Sequence, residues 1–122
     1  MKLFLPLFLC LIPILPSTAA STEWQLRTGD APLSVAELEA LAGTYFRFYD
    51  DGEAFFGTEG AYAYTYAPAN GGGTAWGSYR ISADGGICVD FVNGAQRCDL
   101  YVRNGARLML ITAEGERYPI RN

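Results

Sequence analysis

Thirteen carboxylates, eight tyrosines and eight arginines carry most of the reactive side-chain chemistry of this 122-residue chain, which has no histidine and one lysine, Lys2. Histidine is the commonest general base and metal ligand, and lysine is the usual amine nucleophile. Triad hydrolysis, zinc chemistry and Schiff-base mechanisms therefore lack their central residue. Carboxylates alone suffice for glycoside hydrolysis, yet Glu53, Glu59 and Asp90 read as surface or turn residues and no pair stands out. Asp50-Asp51-Gly52-Glu53 lacks the alternating ligands of a calcium loop, and Asn70-Gly71-Gly72-Gly73 lacks the Gly-Lys-Ser/Thr ending of a phosphate loop. The residues thus point to a noncatalytic protein without metal or cofactor.

The tyrosines point to binding. Tyr62, Tyr64 and Tyr66 alternate with Ala61, Ala63, Thr65 and Ala67, so in a strand the three rings share one face. Trp76 and Tyr79 lie on a flanking segment, and Tyr45 and Tyr49 on another. Turned inward, such a face lines a cavity for a small apolar or aromatic ligand; turned outward, it offers a patch to a protein or glycan. The plain alternative is cross-strand packing in a small barrel. The candidate ligand-binding residues are Tyr62, Tyr64, Tyr66, Trp76 and Tyr79.

Lys2, the apolar run Leu3 to Leu15 and the small residues Ser17-Thr18-Ala19-Ala20 read as an export signal spanning residues 1–20. Pro6, Pro13 and Pro16 interrupt a run shorter than the roughly 18 apolar residues a membrane span needs, so no stable anchor is expected after signal removal. Cys10 lies inside the apolar run, behind Leu9, and leaves with the signal. The expected product is periplasmic or secreted. Its eight arginines face thirteen carboxylates, a net charge of −5, and they are scattered singly, which disfavours nucleic acid as a partner.

Cys88 and Cys98 remain, and in an oxidising compartment they form a disulfide candidate that would stabilise a small domain by roughly 2 to 3 kcal/mol. Their hairpin holds a conflict. A two-residue Asn93-Gly94 turn would set Ile87, Val89, Phe91, Cys98, Leu100 and Val102 on one face and Asp90 opposite Arg97, but would put the cysteines on opposite faces. A three-residue Val92-Asn93-Gly94 loop, or a bulge near Asp90, would bring the cysteines opposite each other.

The elements that must position these residues are mainly β. Ser34 and Glu37 form a capping-box pattern, Leu33 and Leu38 a staple, and Gly43 a stop, which predicts one short helix with Val35, Leu38, Leu41 and Ala42 along a stripe. That helix would pack on the sheet or plug one end of it. From Thr44 onward, turn signals recur at Asp51-Gly52, Glu59-Gly60, Asn70-Gly71, Asp84-Gly85, Asn93-Gly94, Asn104-Gly105 and Glu114-Gly115. They predict a single antiparallel meander of about eight short strands, curled into a small closed or nearly closed barrel. Pro119 suggests an edge or a fraying end. Residues 21–32 read as an extended arm anchored by Trp24, and residues 33–122 as the helix-plus-barrel domain.

Gly77-Ser78-Tyr79-Arg80-Ile81, followed by Asp84-Gly85-Gly86-Ile87-Cys88, Gly94 and Cys98, resembles a group of small exported bacterial proteins of uncharacterised function. The resemblance covers residues 34–120 and implies a lipocalin-like meander with a paired-cysteine hairpin, without catalytic residues. The expected function is an exported binder of a small ligand on the tyrosine face; the alternative is a protein-binding module or inhibitor of an envelope enzyme.

Overall fold

The structure, a computed structural model, describes residues 23–121. The expected export segment and Cys10 lie outside the described residues, as do residues 21 and 22 of the arm. Nine antiparallel strands form a strongly curled half-barrel: β1 (Asp30–Pro32), β2 (Tyr45–Arg47), β3 (Glu53–Phe56), β4 (Ala61–Thr65), β5 (Thr74–Ile81), β6 (Ile87–Phe91), β7 (Gln96–Asn104), β8 (Arg107–Thr112) and β9 (Arg117–Pro119). Strands β2 to β9 follow one another as a meander. Its two ends meet where Phe48 bridges Ile120 and the Arg121 amide donates to the Arg47 carbonyl at 2.8 Å, so the edge strand carrying Pro119 is tied at one end.

Strand β1 lies in the segment read as an extended arm, and its pairing fixes that segment to the sheet. Asp30–Pro32 pairs with Val102–Asn104 of β7 beyond the point where β6 ends, because β6 occupies only Gln96 to Asp99 of that edge. Trp24 packs over Leu100, Val102 and Ile111, giving β7 and β8 a second small core on their outer face. The Asp30 side chain is fully enclosed. It accepts from both terminal nitrogens of Arg117 at 2.7 and 2.8 Å, from Asn104 Nδ2 at 2.9 Å and from the Arg27 amide at 2.7 Å. One carboxylate thereby joins the N-terminal segment, β7 and β9.

The helix forms where its caps lie. Ser34 Oγ accepts from the Glu37 amide at 3.1 Å and Glu37 Oε1 accepts from the Ser34 amide at 3.2 Å, opening α1 (Val35–Glu39). It ends at Ala40, before Gly43, so Val35 and Ala42 stay exposed while Leu38 and Leu41 are buried. Those leucines join Leu33, Phe46, Phe56 and Tyr101 in the main core and fill one end of the half-barrel. Glu37 also pairs with Arg103 on β7, which fastens the helix to the sheet.

The cysteine hairpin adopts the three-residue loop. The Phe91 amide donates to Ala95 O at 2.8 Å, the Gly94 amide to Phe91 O at 2.9 Å, and Gly94 takes φ +89°, which glycine adopts without strain. Cys88 therefore stands directly opposite Cys98, and the two are joined. Asp90 pairs with Arg80 on β5 rather than Arg97. Replacing both cysteines with alanine is expected to lower stability by about 3 kcal/mol, the loop-closure entropy of so short a ring; matched urea unfolding of oxidised and variant protein measures it, and an unchanged midpoint would deny the bridge that role.

Candidate functional site: a tyrosine-lined cavity

That extra loop residue decides what the interior contains. In the register Val89 opposite Arg97 and Ile87 opposite Asp99, Cys98, Leu100 and Val102 turn to the outer face, where Trp24 covers Leu100 and Val102. Arg97, Asp99 and Tyr101 turn inward with Ile87, Val89 and Phe91. An ion pair thus sits inside the sheet's curl, at the end that α1 leaves open.

There the curl encloses a cavity of about 630 Å3. Its aromatic wall is Phe48, Tyr62, Tyr64, Tyr66, Phe91 and Tyr118. Tyr62 is buried, 7% exposed, and meets Phe56 and Phe91 edge to face at 5.5 and 5.9 Å. Tyr64 meets Tyr66 edge to face at 4.9 Å, and Tyr66 reaches the mouth. Gly52 makes room for Tyr64, since a Cβ there would lie 2.2 Å from the Tyr64 hydroxyl oxygen.

Of the five predicted residues, Tyr62, Tyr64 and Tyr66 line the cavity together. Tyr79 is part of the packed core below it, 5.1 Å from Phe56 edge to face, with its hydroxyl donating to Gly57 O at 3.1 Å. Trp76 stands on the outer face and is 60% exposed, because strand alternation places Ala75 and Gly77 opposite Tyr64 and Tyr62, and Trp76 opposite Ala63. Gly77 is required at its position: a Cβ would lie 2.4 Å from the Asp90 carbonyl oxygen on the neighbouring strand. Tyr45 and Tyr49 are also exposed.

Electrostatics separate the cavity's charged pair from its phenols. Asp99, with its side chain 8% exposed, accepts from Arg97 Nε at 2.8 Å and Nη2 at 3.0 Å. Burial pushes the Asp99 carboxyl above its ordinary pKa even against the hydrogen bonds of Arg97. Burial works against the Arg97 charge as well, but the hydrogen bonds and charge of Asp99 outweigh it and hold the guanidinium protonated. Desolvation raises the phenols of Tyr62, Tyr64 and Tyr101, with the Asp50 charge adding to the effect at Tyr64. These hydroxyls therefore stay protonated and neutral. The Gly71–Gly73 segment does not line the cavity, although Asn70 beside it donates to Asp50 at 3.3 Å.

No family model, curated protein or solved structure matches this chain. The site therefore stands on its geometry: an aromatic wall from the middle of the chain, closed by Arg97, Asp99, Thr112–Glu116 and Tyr118 from its last third. Those residues escaped the sequence reading because their inward direction follows from hairpin register. The signal for Arg97 and Asp99 was the three-residue loop, the option that lets Cys88 face Cys98.

Outward-facing carboxylates have other partners. Glu53 pairs with Arg47 on the neighbouring strand, and Asp51 of the β2–β3 turn pairs with Arg121 at 3.0 Å.

Proposed function

We propose that this chain is an exported, noncatalytic binding protein that holds a small apolar or aromatic ligand in the cavity at the open end of the half-barrel. One observation carries the reading: Tyr62, Tyr64 and Tyr66 enter one concave space of about 630 Å3 together with Phe48, Phe91 and Tyr118, a size within the range of small-ligand sites. Lys2 with its apolar run, and the joined Cys88 and Cys98, support export to an oxidising compartment. The interior groups are neutral phenols and an internally satisfied ion pair, a set suited to holding a molecule rather than transforming it.

The test compares native and denaturing masses of the protein purified from the compartment to which it is exported. Excess native mass that is lost on denaturation, and that is absent from a Tyr62→Ala variant shown to be folded, supports the reading. Identical masses together with no uptake of small aromatic probes would remove it.

The outer face favours a second reading, a protein-binding module or inhibitor of an envelope enzyme. Tyr45, Phe55, Ala63 and Trp76 fall in one cross-strand row, with Tyr45, Phe55 and Trp76 each more than 40% exposed. A partner whose binding is lost in Trp76→Ala but kept in Tyr62→Ala would assign function to that row.

A further inference from the structure

The charge around the cavity specifies more than an apolar occupant. Four carboxylates line it, Asp50, Asp99, Glu114 and Glu116, against one guanidinium, Arg97. Arg97, half exposed at the cavity, is already committed to Asp99 through two hydrogen bonds, so that pair adds no net charge. At the rim, Asp50 accepts only from neutral donors, the Gly52 amide and Asn70, and Glu116 accepts from the Tyr118 hydroxyl at 2.5 Å. The Glu114 carboxylate makes no hydrogen bond or ion pair among the described residues. Arg47, Arg80, Arg103, Arg117 and Arg121 pair with acids outside the cavity. With Arg97 matched by Asp99, the three remaining carboxylates leave the cavity with a net negative charge.

A second feature is independent of that charge. Tyr62 is more than nine-tenths buried and lines the cavity, and its hydroxyl has no hydrogen-bond partner among the described residues. The ring is buried while the hydroxyl stays accessible, so that oxygen is open to a ligand or to solvent. Around it stand the faces and edges of Tyr64, Tyr66, Phe91 and Tyr118. Aromatic faces carry negative potential, and a cation enclosed by them is attracted more strongly as water is excluded. Aromatic wall and acidic rim thus favour the same charge, and both oppose a carboxylate or phosphate ligand.

We infer that the cavity binds a small organic cation, a quaternary ammonium or protonated amine with an apolar body, with its charge among the tyrosine rings and toward Asp50, Glu114 and Glu116. This rests on the cavity being a ligand site and names the class of ligand. Arg97 stays bound to Asp99, so its charge is already matched within the protein.

The test uses three probes of one shape and different charge: choline, its uncharged isostere 3,3-dimethyl-1-butanol, and the anion 3,3-dimethylbutanoate. Each is titrated into the disulfide-bonded protein at low ionic strength while the ring resonances of Tyr62, Tyr64 and Tyr66 are followed. Choline is expected to bind about tenfold or more tightly than the neutral isostere, with no measurable binding of the anion. The advantage should shrink with added salt and in Glu114→Gln/Glu116→Gln, and should survive in Tyr66→Phe but fall in Tyr66→Leu.

Equal or tighter binding of the neutral isostere overturns the cation inference while leaving an apolar ligand site in place. Absence of ring shifts with all three probes also overturns it, and the native-mass comparison then decides separately whether the cavity holds anything. A choline advantage unchanged in both the glutamine and leucine variants would place the cation outside this cavity and equally overturn the inference.

Discussion

Asp30→Asn is expected to cost about 3–5 kcal/mol, the usual penalty for removing one partner of a buried ion pair. The substitution keeps the side-chain volume, so the loss reports on charge. Arg117, 10% exposed, would keep its guanidinium in a site whose only carboxylate has been neutralised, and the Arg27 amide and Asn104 would face a weaker acceptor. A domain of this size typically has only about 5–15 kcal/mol of stability, so the shift in urea midpoint should be large. Adding Arg117→Met should recover most of it, because the stranded charge is then gone; a double variant no better than the single would show that Asp30 acts by something other than pairing.

The same group predicts the acid limb of stability. The hydrogen bonds from Arg117 hold the Asp30 carboxyl well below the usual carboxylate range, against the opposing effect of burial and with help from the Arg27 amide and Asn104. A folded pKa below the unfolded one stabilises the protein above the unfolded value and loses that contribution as pH falls. The decline should begin at about pH 5, where the unfolded carboxyl starts to protonate, and continue to strongly acidic pH. The stability difference between wild type and Asp30→Asn should therefore narrow from neutral pH to about pH 3.

Phe56→Ala is the other large effect, again about 3–5 kcal/mol. Phe56 is fully buried, and its ring meets Phe46 at 5.6 Å, Tyr62 at 5.5 Å, Tyr79 at 5.1 Å and Tyr101 at 6.1 Å. Removing it leaves a void directly beneath Tyr62, so the cavity deepens and the Tyr62 ring loses the edge that orients it. Ligand binding should weaken together with stability. The control is Phe55→Ala, one residue away on the outer face and 44% exposed, where a loss of about 1 kcal/mol or less is expected. Equal losses at the two positions in chemical unfolding would contradict the inward and outward assignment of β3.

The hairpin sequences and the helix cap were legible because their instructions are local. Ser34 and Glu37 lie within one helical turn and satisfy each other's backbone groups wherever the helix packs. Turn signals at regular spacing led to an antiparallel meander, and alternation put Tyr62, Tyr64 and Tyr66 on one face. Each of these follows from residues at most a few positions apart.

The direction of a strand's two faces depends on what covers them. Leu100 and Val102 read as core residues, and they are buried, but on the outside of β7, where Trp24 supplies the cover. Only with that second layer in place can Arg97 and Asp99 occupy the inner face. The same holds for Asp30, an acid in a polar segment until Arg117, from the far end of the chain, closes on it. Trp76 shows the limit most directly: it is an aromatic beside a tyrosine stripe in sequence, yet one step of alternation places it on the opposite side of the sheet. Local residue chemistry settled which elements form and which side chains share a face. The tertiary structure alone decided which face is inside, because burial is a property of segments brought together from distant parts of the chain.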